Sequence, residues 1–167
     1  MKRRARAGFT LVELMCVVAI IGVLAALAIP NLMGQTRKAK AAQRNVQVRQ
    51  IETAAKQYFE DKQRWPTGAA GAASTLSSTW NPPALGASAV FDPNVADWKD
   101  LMVPIEGKSR FQYQLTGNST AGGVCGFVLT VRSDLDGNGV LNVITRTWNC
   151  SKSNWGLTEA ISGDLTE

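Results

Sequence analysis

The chain has 167 residues, of which 45% are hydrophobic, and a formal net charge of +5. That length is enough for one small hydrophobic core and excludes two independent domains of ordinary size. The sequence contains no histidine, no nucleophile beside a recognisable base and no glycine-rich phosphate loop next to a strand. Because catalysis commonly relies on such groups, the sequence predicts a protein that is not an enzyme and has no small-molecule substrate.

An apolar segment near the start of the chain covers residues 9–29, and its only charged residue is Glu13. A helix of this length, at about 1.5 Å per residue, crosses the apolar core of a membrane, which is about 30 Å thick. A carboxylate within such a helix costs about 3 kcal/mol, so it requires a positively charged partner. The segment is therefore predicted to span a membrane.

The residues around that carboxylate read Gly-Phe-Thr-Leu-Val-Glu at positions 8–13, after a short basic leader. This motif resembles the class III signal sequence of type IV pilins and the related pseudopilins, and the resemblance covers about the first 55 residues. It implies that a prepilin peptidase cuts between Gly8 and Phe9 and methylates the new amine of Phe9. It also implies that the Glu13 carboxylate meets the N-terminal amine of a neighbouring subunit, since two charges that neutralise each other are tolerable in lipid.

Four basic residues of the leader would leave with it, which lowers the formal charge from +5 to +1. They are Lys2, Arg3, Arg4 and Arg6. Basic residues before a span keep that end in the cytoplasm, so the head of the precursor is predicted on the periplasmic side of the inner membrane. A competing interpretation is an ordinary secretory signal peptide, cut after the apolar run near the Ala-Ala-Leu-Ala sequence at residues 25–28.

Pro30 and Gly34 follow the apolar segment within a run of good helix formers. Proline removes a backbone hydrogen bond and glycine loosens a helix, so these residues predict a hinge or a locally melted turn at residues 28–34. The alternative is that Pro30 ends the membrane helix. Pilins that resemble this chain often loosen the helix at this place when they pack in a filament.

A helical segment is predicted for residues 36–62, with two apolar stripes along it. The stripe of bulky side chains is expected to carry a folded domain, and the stripe of small side chains to contact neighbouring helices. The bulky stripe contains Val48, Ile51, Ala55, Tyr58 and Phe59, and the small one Ala39, Ala42 and Val46. A basic stretch without an acid overlaps them, and it predicts either a face against water or lipid headgroups, or a site for acidic partners or nucleic acid. It consists of Arg37, Lys38, Lys40, Arg44 and Arg49.

An irregular connection is predicted for residues 65–109, because Trp65 precedes a proline, which disfavours helical angles, and small and turn-forming residues dominate the stretch after it. Within this connection, residues 97–102 are expected to form a short helical turn anchored by Trp98 and Leu101.

Strands are predicted at residues 110–115, 126–132 and 140–148, and the last two flank Asp-Gly and Asn-Gly pairs that indicate a hairpin. Pairing about the middle of that turn places Cys125 opposite Cys150. In an oxidising compartment the two cysteines would form a disulfide that contributes about 3 kcal/mol. The same register pairs Phe127 with Trp148, Val131 with Ile144 and Leu129 with Arg146. Arg146 then lies on the inner face and requires an acidic partner or a side chain that turns outward.

The hairpin turn also matches the first half of a calcium loop, in which oxygen ligands recur at alternate positions. The candidate ligands are Asp134, Asp136, Asn138, the carbonyl of Val140, and Asn142. The twelfth position is Thr145 rather than a bidentate glutamate, so a site would be weak or completed from elsewhere. A polar turn without metal is the alternative. Ca²⁺ is the one cofactor that the sequence suggests, and none is required.

These patterns predict an α+β fold, in which a long N-terminal helix packs its second half on a small antiparallel β-sheet of three or four strands. The predicted divisions are a leader at residues 1–8, a membrane and assembly helix at 9–29, the soluble half of the helix at 30–64, a connection at 65–109 and a β-sheet head at 110–167.

The resemblance implies a structural subunit that membrane assembly machinery extracts from lipid and polymerises into a helical filament. The first hypothesis is a type IV pilus at the cell surface, for adhesion, twitching motility or DNA uptake, favoured by the disulfide hairpin. The second is a type II secretion pseudopilin in a periplasmic piston, favoured by the aromatic-Pro-Thr turn at residues 65–67 and by the calcium motif. A minor tip subunit that recognises DNA or a surface ranks third, because the basic residues of the head are few and scattered.

Overall fold

The structure, a computed structural model, describes residues 8–67, 73–84, 89–120, 124–134, 139–151 and 154–162. Its longest element is helix α1, Leu11–Lys62. Two compact units divide the chain, the first ending at Ala39 and the second beginning at Lys40, so α1 contributes to both.

After α1, the described residues form seven strands and one short helix. In chain order these are β1 Ser74–Ser77, β2 Ala89–Val90, α2 Trp98–Leu101, β3 Lys108–Ser109, β4 Gln112–Ser119, β5 Val124–Ser133, β6 Asn142–Ser151 and β7 Asn154–Ser162. The main sheet is antiparallel with the strand order β1-β4-β5-β6-β7, and β2 pairs separately with β3. The predicted α+β class is confirmed, but the main sheet has five strands rather than three or four.

Helix α1 runs without a break through Pro30 and Gly34. The alternative in which Pro30 ends the membrane helix is therefore wrong, and residues 28–34 are helical rather than melted. Proline removes a backbone hydrogen bond, but the cooperative bonds of the adjacent turns can hold the helix. A hinge that opens when the helix packs in a filament stays a prediction.

The bulky stripe of α1 packs in the core of the second unit, as predicted. Val48, Ile51, Ala55 and Phe59 are buried, and Tyr58 is partly buried against the same core. The opposing inner face of the sheet contributes Tyr113, Leu115, Phe127, Leu129 and Val131. Full burial of one such large apolar side chain stabilises a fold by about 1.5–3 kcal/mol, so this stripe attaches the helix to the sheet.

A polar contact inside this interface accounts for the inward position of Arg146. The Arg146 Nε lies 3.0 Å from Oε1 of Glu52, a residue that is 4% exposed. The same oxygen accepts a hydrogen bond of 2.8 Å from Nε1 of Trp148, and Nζ of Lys56 lies 3.2 Å from the Trp148 ring centroid. Arg146 thus has the acidic partner that its position requires. These directional contacts also fix the position of α1 along β6.

The register of the β5–β6 hairpin is the predicted one. Cys125 is paired with Cys150, and the two form a disulfide with a Cα–Cα distance of 5.1 Å. The other predicted pairs also form, namely Phe127 with Trp148, Val131 with Ile144 and Leu129 with Arg146. A slip of one residue would turn every inner side chain outward. The position of the turn and the hydrophobic pattern together therefore specify this register.

The connection that was predicted to be irregular contains short strands that the local sequence pattern does not indicate. β1 reads Ser-Thr-Leu-Ser and forms because it pairs along β4, from Ser74 with Ser119 to Ser77 with Thr116. The predicted helical turn is present as α2, with Trp98 and Leu101 buried. β7 was not predicted either, since Gly156 interrupts its pattern, and it forms by pairing with β6. Strand formation at these positions depends on the partner strand more than on local propensity.

Candidate assembly site

The described part of the first unit exposes its apolar side chains. Phe9, Leu11 and Leu27 are each more than 70% exposed. An 18-residue window of α1 has a mean hydropathy of 2.7 with 0% of it buried, so α1 is long and apolar enough to cross a membrane. Water is a poor solvent for a surface of this kind, so lipid or other protein chains must cover it.

Thr10 and Glu13 together cap the start of α1. The backbone N–H of Thr10 donates to Oε2 of Glu13 at 3.1 Å, and its hydroxyl donates to the same oxygen at 2.9 Å. In return, the backbone N–H of Glu13 donates to the Thr10 hydroxyl at 3.2 Å. This reciprocal arrangement is a capping box, which pairs backbone groups that a helix start leaves without partners. Thr10 was not among the predicted site residues, although the Thr-x-x-Glu spacing is the signal for this motif.

The Glu13 carboxylate is exposed while it accepts these two hydrogen bonds. An ionised carboxylate has about four acceptor positions, so it retains capacity for a further donor such as an ammonium group. Because Glu13 lies in the first turn of α1, its carboxylate is also close to the positive end of the helix dipole. The described geometry is therefore compatible with the predicted contact to a neighbouring amine, which stays a prediction.

Gly8 and Phe9 precede α1 and are both exposed, so the bond between them is outside the helix. A Cβ atom added at Gly8 would meet nothing within 4 Å. The residues that the structure describes therefore give no steric reason for glycine at this position. Cleavage here and methylation of Phe9 remain predictions.

Part of the predicted calcium loop lies outside the described residues, namely Asp136 and Asn138. Oδ2 of Asp134 accepts a hydrogen bond of 3.1 Å from the backbone N–H of Gly139, whose φ of 82° favours glycine. Among the residues with assigned positions, no group of three acidic, histidine or cysteine side chains could hold a metal ion. Calcium binding at this turn stays a prediction.

The fold and the N-terminal motif define a class of protein: an α+β protein with an exposed apolar helix near its start, preceded by a basic sequence that ends in glycine and followed by a β-sheet that contains a disulfide. Residues 3–29 match the family model described as the prokaryotic N-terminal methylation motif. This match covers Gly8, the basic residues from position 3 onward and the apolar stretch to Ile29.

Curated relatives carry two kinds of name. The chain is 37% identical over 83 residues to the type II secretion system core protein G of Klebsiella michiganensis, which covers 50% of this chain and 58% of that protein. It is 42% identical over 67 residues to core protein G of Aeromonas hydrophila, covering 40% and 47%. It is also 47% identical over 58 residues to the type IV major pilin protein PilA of Myxococcus xanthus, covering 35% and 26%.

The chain thus spans about half the length of the type II secretion relatives named here. No solved structure gives a significant match. The methylation motif, the α+β fold and these relatives support the type IV pilin and pseudopilin superfamily for this chain, and α1 is long and apolar enough to anchor it in a membrane.

Proposed function

We propose that this chain is a pseudopilin of a type II secretion system, a structural subunit that polymerises through α1 into a periplasmic filament. The observation that carries the proposal is the similarity to core protein G from several bacteria, at 36–43% identity over 60–83 residues in five of them. This order of preference reverses the one drawn from the sequence, where the pilus was placed first.

The proposed sequence of events begins with the precursor in the inner membrane. The prepilin peptidase cleaves after Gly8 and methylates the amine of Phe9, and the assembly machinery then lifts the subunit out of lipid. Apolar helices in a filament replace lipid rather than water, so packing and polar contacts set the register between copies. The Glu13 carboxylate against the Phe9 amine of a neighbouring copy is the polar contact in this scheme.

A type IV pilus subunit is the second candidate. Two observations favour it: the local identity to PilA of Myxococcus xanthus, and the disulfide between Cys125 and Cys150 in the sheet. As a pilin, the chain would form filaments outside the cell, where adhesion, motility or DNA uptake are the functions that the resemblance implies.

The test is to delete the gene in the organism that encodes the chain and to measure secreted proteins and surface filaments in parallel. Under the proposal, secretion of folded proteins across the outer membrane falls while the yield of sheared surface filaments is unchanged. Loss of surface filaments with normal secretion would establish the pilus instead. Re-expression of the wild-type gene should restore the affected function.

Intact mass of the chain from the same cells checks the processing steps. A chain that begins at methylated Phe9 and gains two hydrogens on reduction agrees with the proposed cleavage and with the Cys125 to Cys150 disulfide. Recovery in the membrane fraction but not in the sheared fraction supports the pseudopilin. A chain that still begins at Met1 would contradict both candidates.

A further inference from the structure

A cationic segment follows the apolar part of α1 and has no role in the function proposed above. From residue 14 to residue 51 the sequence contains no aspartate or glutamate, yet it contains five basic residues. Arg37 and Lys38 are the first two of them along the chain, and both belong to the first unit. Lys38 is exposed and Arg37 is partly exposed. These two cations therefore have no acidic neighbour within reach along their own helix.

The position of Arg37 and Lys38 along α1 matches the depth of a headgroup layer. At about 1.5 Å per residue, Arg37 lies about 12 Å beyond Ile29 along the helix axis. It lies about 7.5 Å beyond Leu32, which is also apolar and exposed. The polar layer on each side of a bilayer is about 5–7 Å thick. Side chains of a helix lean toward its N-terminus, which here is the direction of the apolar segment. Both cationic groups can therefore reach the level of lipid phosphates.

We propose that Arg37 and Lys38 bind the phosphate groups of anionic phospholipids on the side of the membrane where the chain emerges. The proposal rests on the membrane anchoring of α1 and not on which filament the chain forms. A basic residue near an anionic membrane surface increases binding by about fivefold, so the pair contributes about 25-fold. The planar Arg37 guanidinium can pair with two phosphate oxygens at once, and Lys38 adds a mobile point charge.

An acid from another copy of the chain is a weaker match to this site. Glu13 is the only acidic residue between positions 8 and 39, and it lies 24 residues, or about 36 Å, before Arg37 along the helix. Copies that pack their first units side by side with small axial shifts would therefore bring no carboxylate to Arg37 or Lys38 from that unit. Lipid phosphate is the anion that the surroundings of the apolar segment supply.

The experiment uses the full chain purified in dodecyl maltoside micelles that contain either phosphatidylglycerol or phosphatidylcholine, and it measures phospholipid retained per chain after gel filtration. Wild-type chain should retain phosphatidylglycerol in preference to phosphatidylcholine, and 0.5 M NaCl should reduce that preference. The R37Q/K38Q variant should lose about 25-fold of the preference. The matched control is R49Q/K62Q, which removes the same charge from two exposed positions of the same helix and should keep it.

Four results would overturn the proposal. Equal retention of phosphatidylglycerol by the wild-type chain and by R37Q/K38Q would show that Arg37 and Lys38 do not bind this lipid. An equal loss of retention in R49Q/K62Q would show that only the overall charge of the chain matters. Displacement of the lipid by inorganic phosphate beyond that by NaCl of equal ionic strength would indicate a site for free phosphate. If R37Q/K38Q instead abolishes filaments while lipid retention is unchanged, the two cations contact an acid of a neighbouring copy. Because retention is measured without filaments, it is independent of whether the pseudopilin proposal holds.

Discussion

The two units of the chain differ in where their apolar side chains find cover. In the first unit, apolar residues from Phe9 onward are exposed, and none of the hydrophobic window of α1 is buried. In the second unit, α1 residues such as Ile51 and Ala55 are 0% exposed against the sheet. The second unit therefore supplies its own core, whereas the first unit depends on lipid or on other chains for its stabilisation.

The hydrogen bonds of the two units also differ in span. In the first unit, the capping box joins Thr10 to Glu13, three residues apart. In the second unit, long-range hydrogen bonds join distant parts of the chain, since Trp148 to Glu52 spans 96 residues and Tyr113 to Gln47 spans 66. Substitutions in the first unit should therefore alter assembly and leave the head folded, and substitutions in the second should alter unfolding.

The largest effect is expected for Glu13→Ala. The variant should still be inserted and cleaved, because the apolar segment and the Gly8 motif remain, but filament yield should fall at least about tenfold. An amine left unpaired in an apolar layer costs about 3 kcal/mol per contact, which is the physical reason. Processed chain on gels and filaments in sheared or membrane fractions are the measurements. Glu106→Ala, which removes an exposed acid of the head, is the control and should assemble normally. Normal filaments from Glu13→Ala would show that filament assembly does not need this carboxylate.

Loss of the disulfide should reduce the free energy of unfolding of the head by about 3 kcal/mol in Cys125→Ser, since the bridge closes a loop with a sequence separation of 25 residues. Urea unfolding followed by tryptophan fluorescence reports on the head alone, because all five tryptophans lie after residue 64. Cys16→Ser is the matched control, since Cys16 is a free cysteine exposed in the first unit, and it should leave the midpoint unchanged. A shift of similar size in the control would contradict the independence of the two units.

Gly117→Ala should destabilise the head by about 1–3 kcal/mol, the usual cost of overpacking. A Cβ atom at Gly117 would lie 2.9 Å from Cε2 of Trp65 and 3.1 Å from the carbonyl oxygen of Gly126. Trp65 is 0% exposed and has little room to move. Gly156→Ala is the control in the same sheet, because a Cβ atom there meets nothing within 4 Å. Equal urea midpoints for the two variants would show that the ring of Trp65 adjusts without cost.

The smallest effect is expected for Tyr113→Phe, which removes the hydrogen bond of 2.6 Å from the Tyr113 hydroxyl to Oε1 of Gln47. The loss should be about 1 kcal/mol at neutral pH. Burial also raises the pKa of the Tyr113 phenol. The unfolded chain releases this proton near pH 10 and the folded chain only at higher pH, so stability is complete below about pH 10 and falls above it.

Tyr113→Phe should therefore show a shallower loss of stability above pH 10 than the wild-type chain. The measurement is the urea midpoint at several pH values from about 8 to about 11, on both sides of the ordinary tyrosine pKa of about 10. Parallel pH profiles of the urea midpoint for the two chains would contradict a raised pKa of Tyr113 in the folded state.

Several elements were predictable because they depend on local pattern. The apolar run from residue 9, the bulky stripe on α1 and the alternation around the Asp-Gly and Asn-Gly turn are all readable in single segments. The β5–β6 register, and with it the pairing of Cys125 with Cys150, followed from one turn and one hydrophobic pattern. The capping box of Thr10 and Glu13 was equally local and could have been predicted from its spacing.

By itself, then, the sequence determined the apolar helix with its single carboxylate, the α+β class and the hairpin with its disulfide, because short-range periodicity and turn chemistry encode each of them. Only the tertiary structure decided the course of the chain through Pro30, the strands β1 and β7, and the pairing of Glu52 with Arg146 and Trp148. These features depend on free energy shared between segments far apart in the chain, such as ladder hydrogen bonds and a buried charge with its partner. A single segment carries no signal for them.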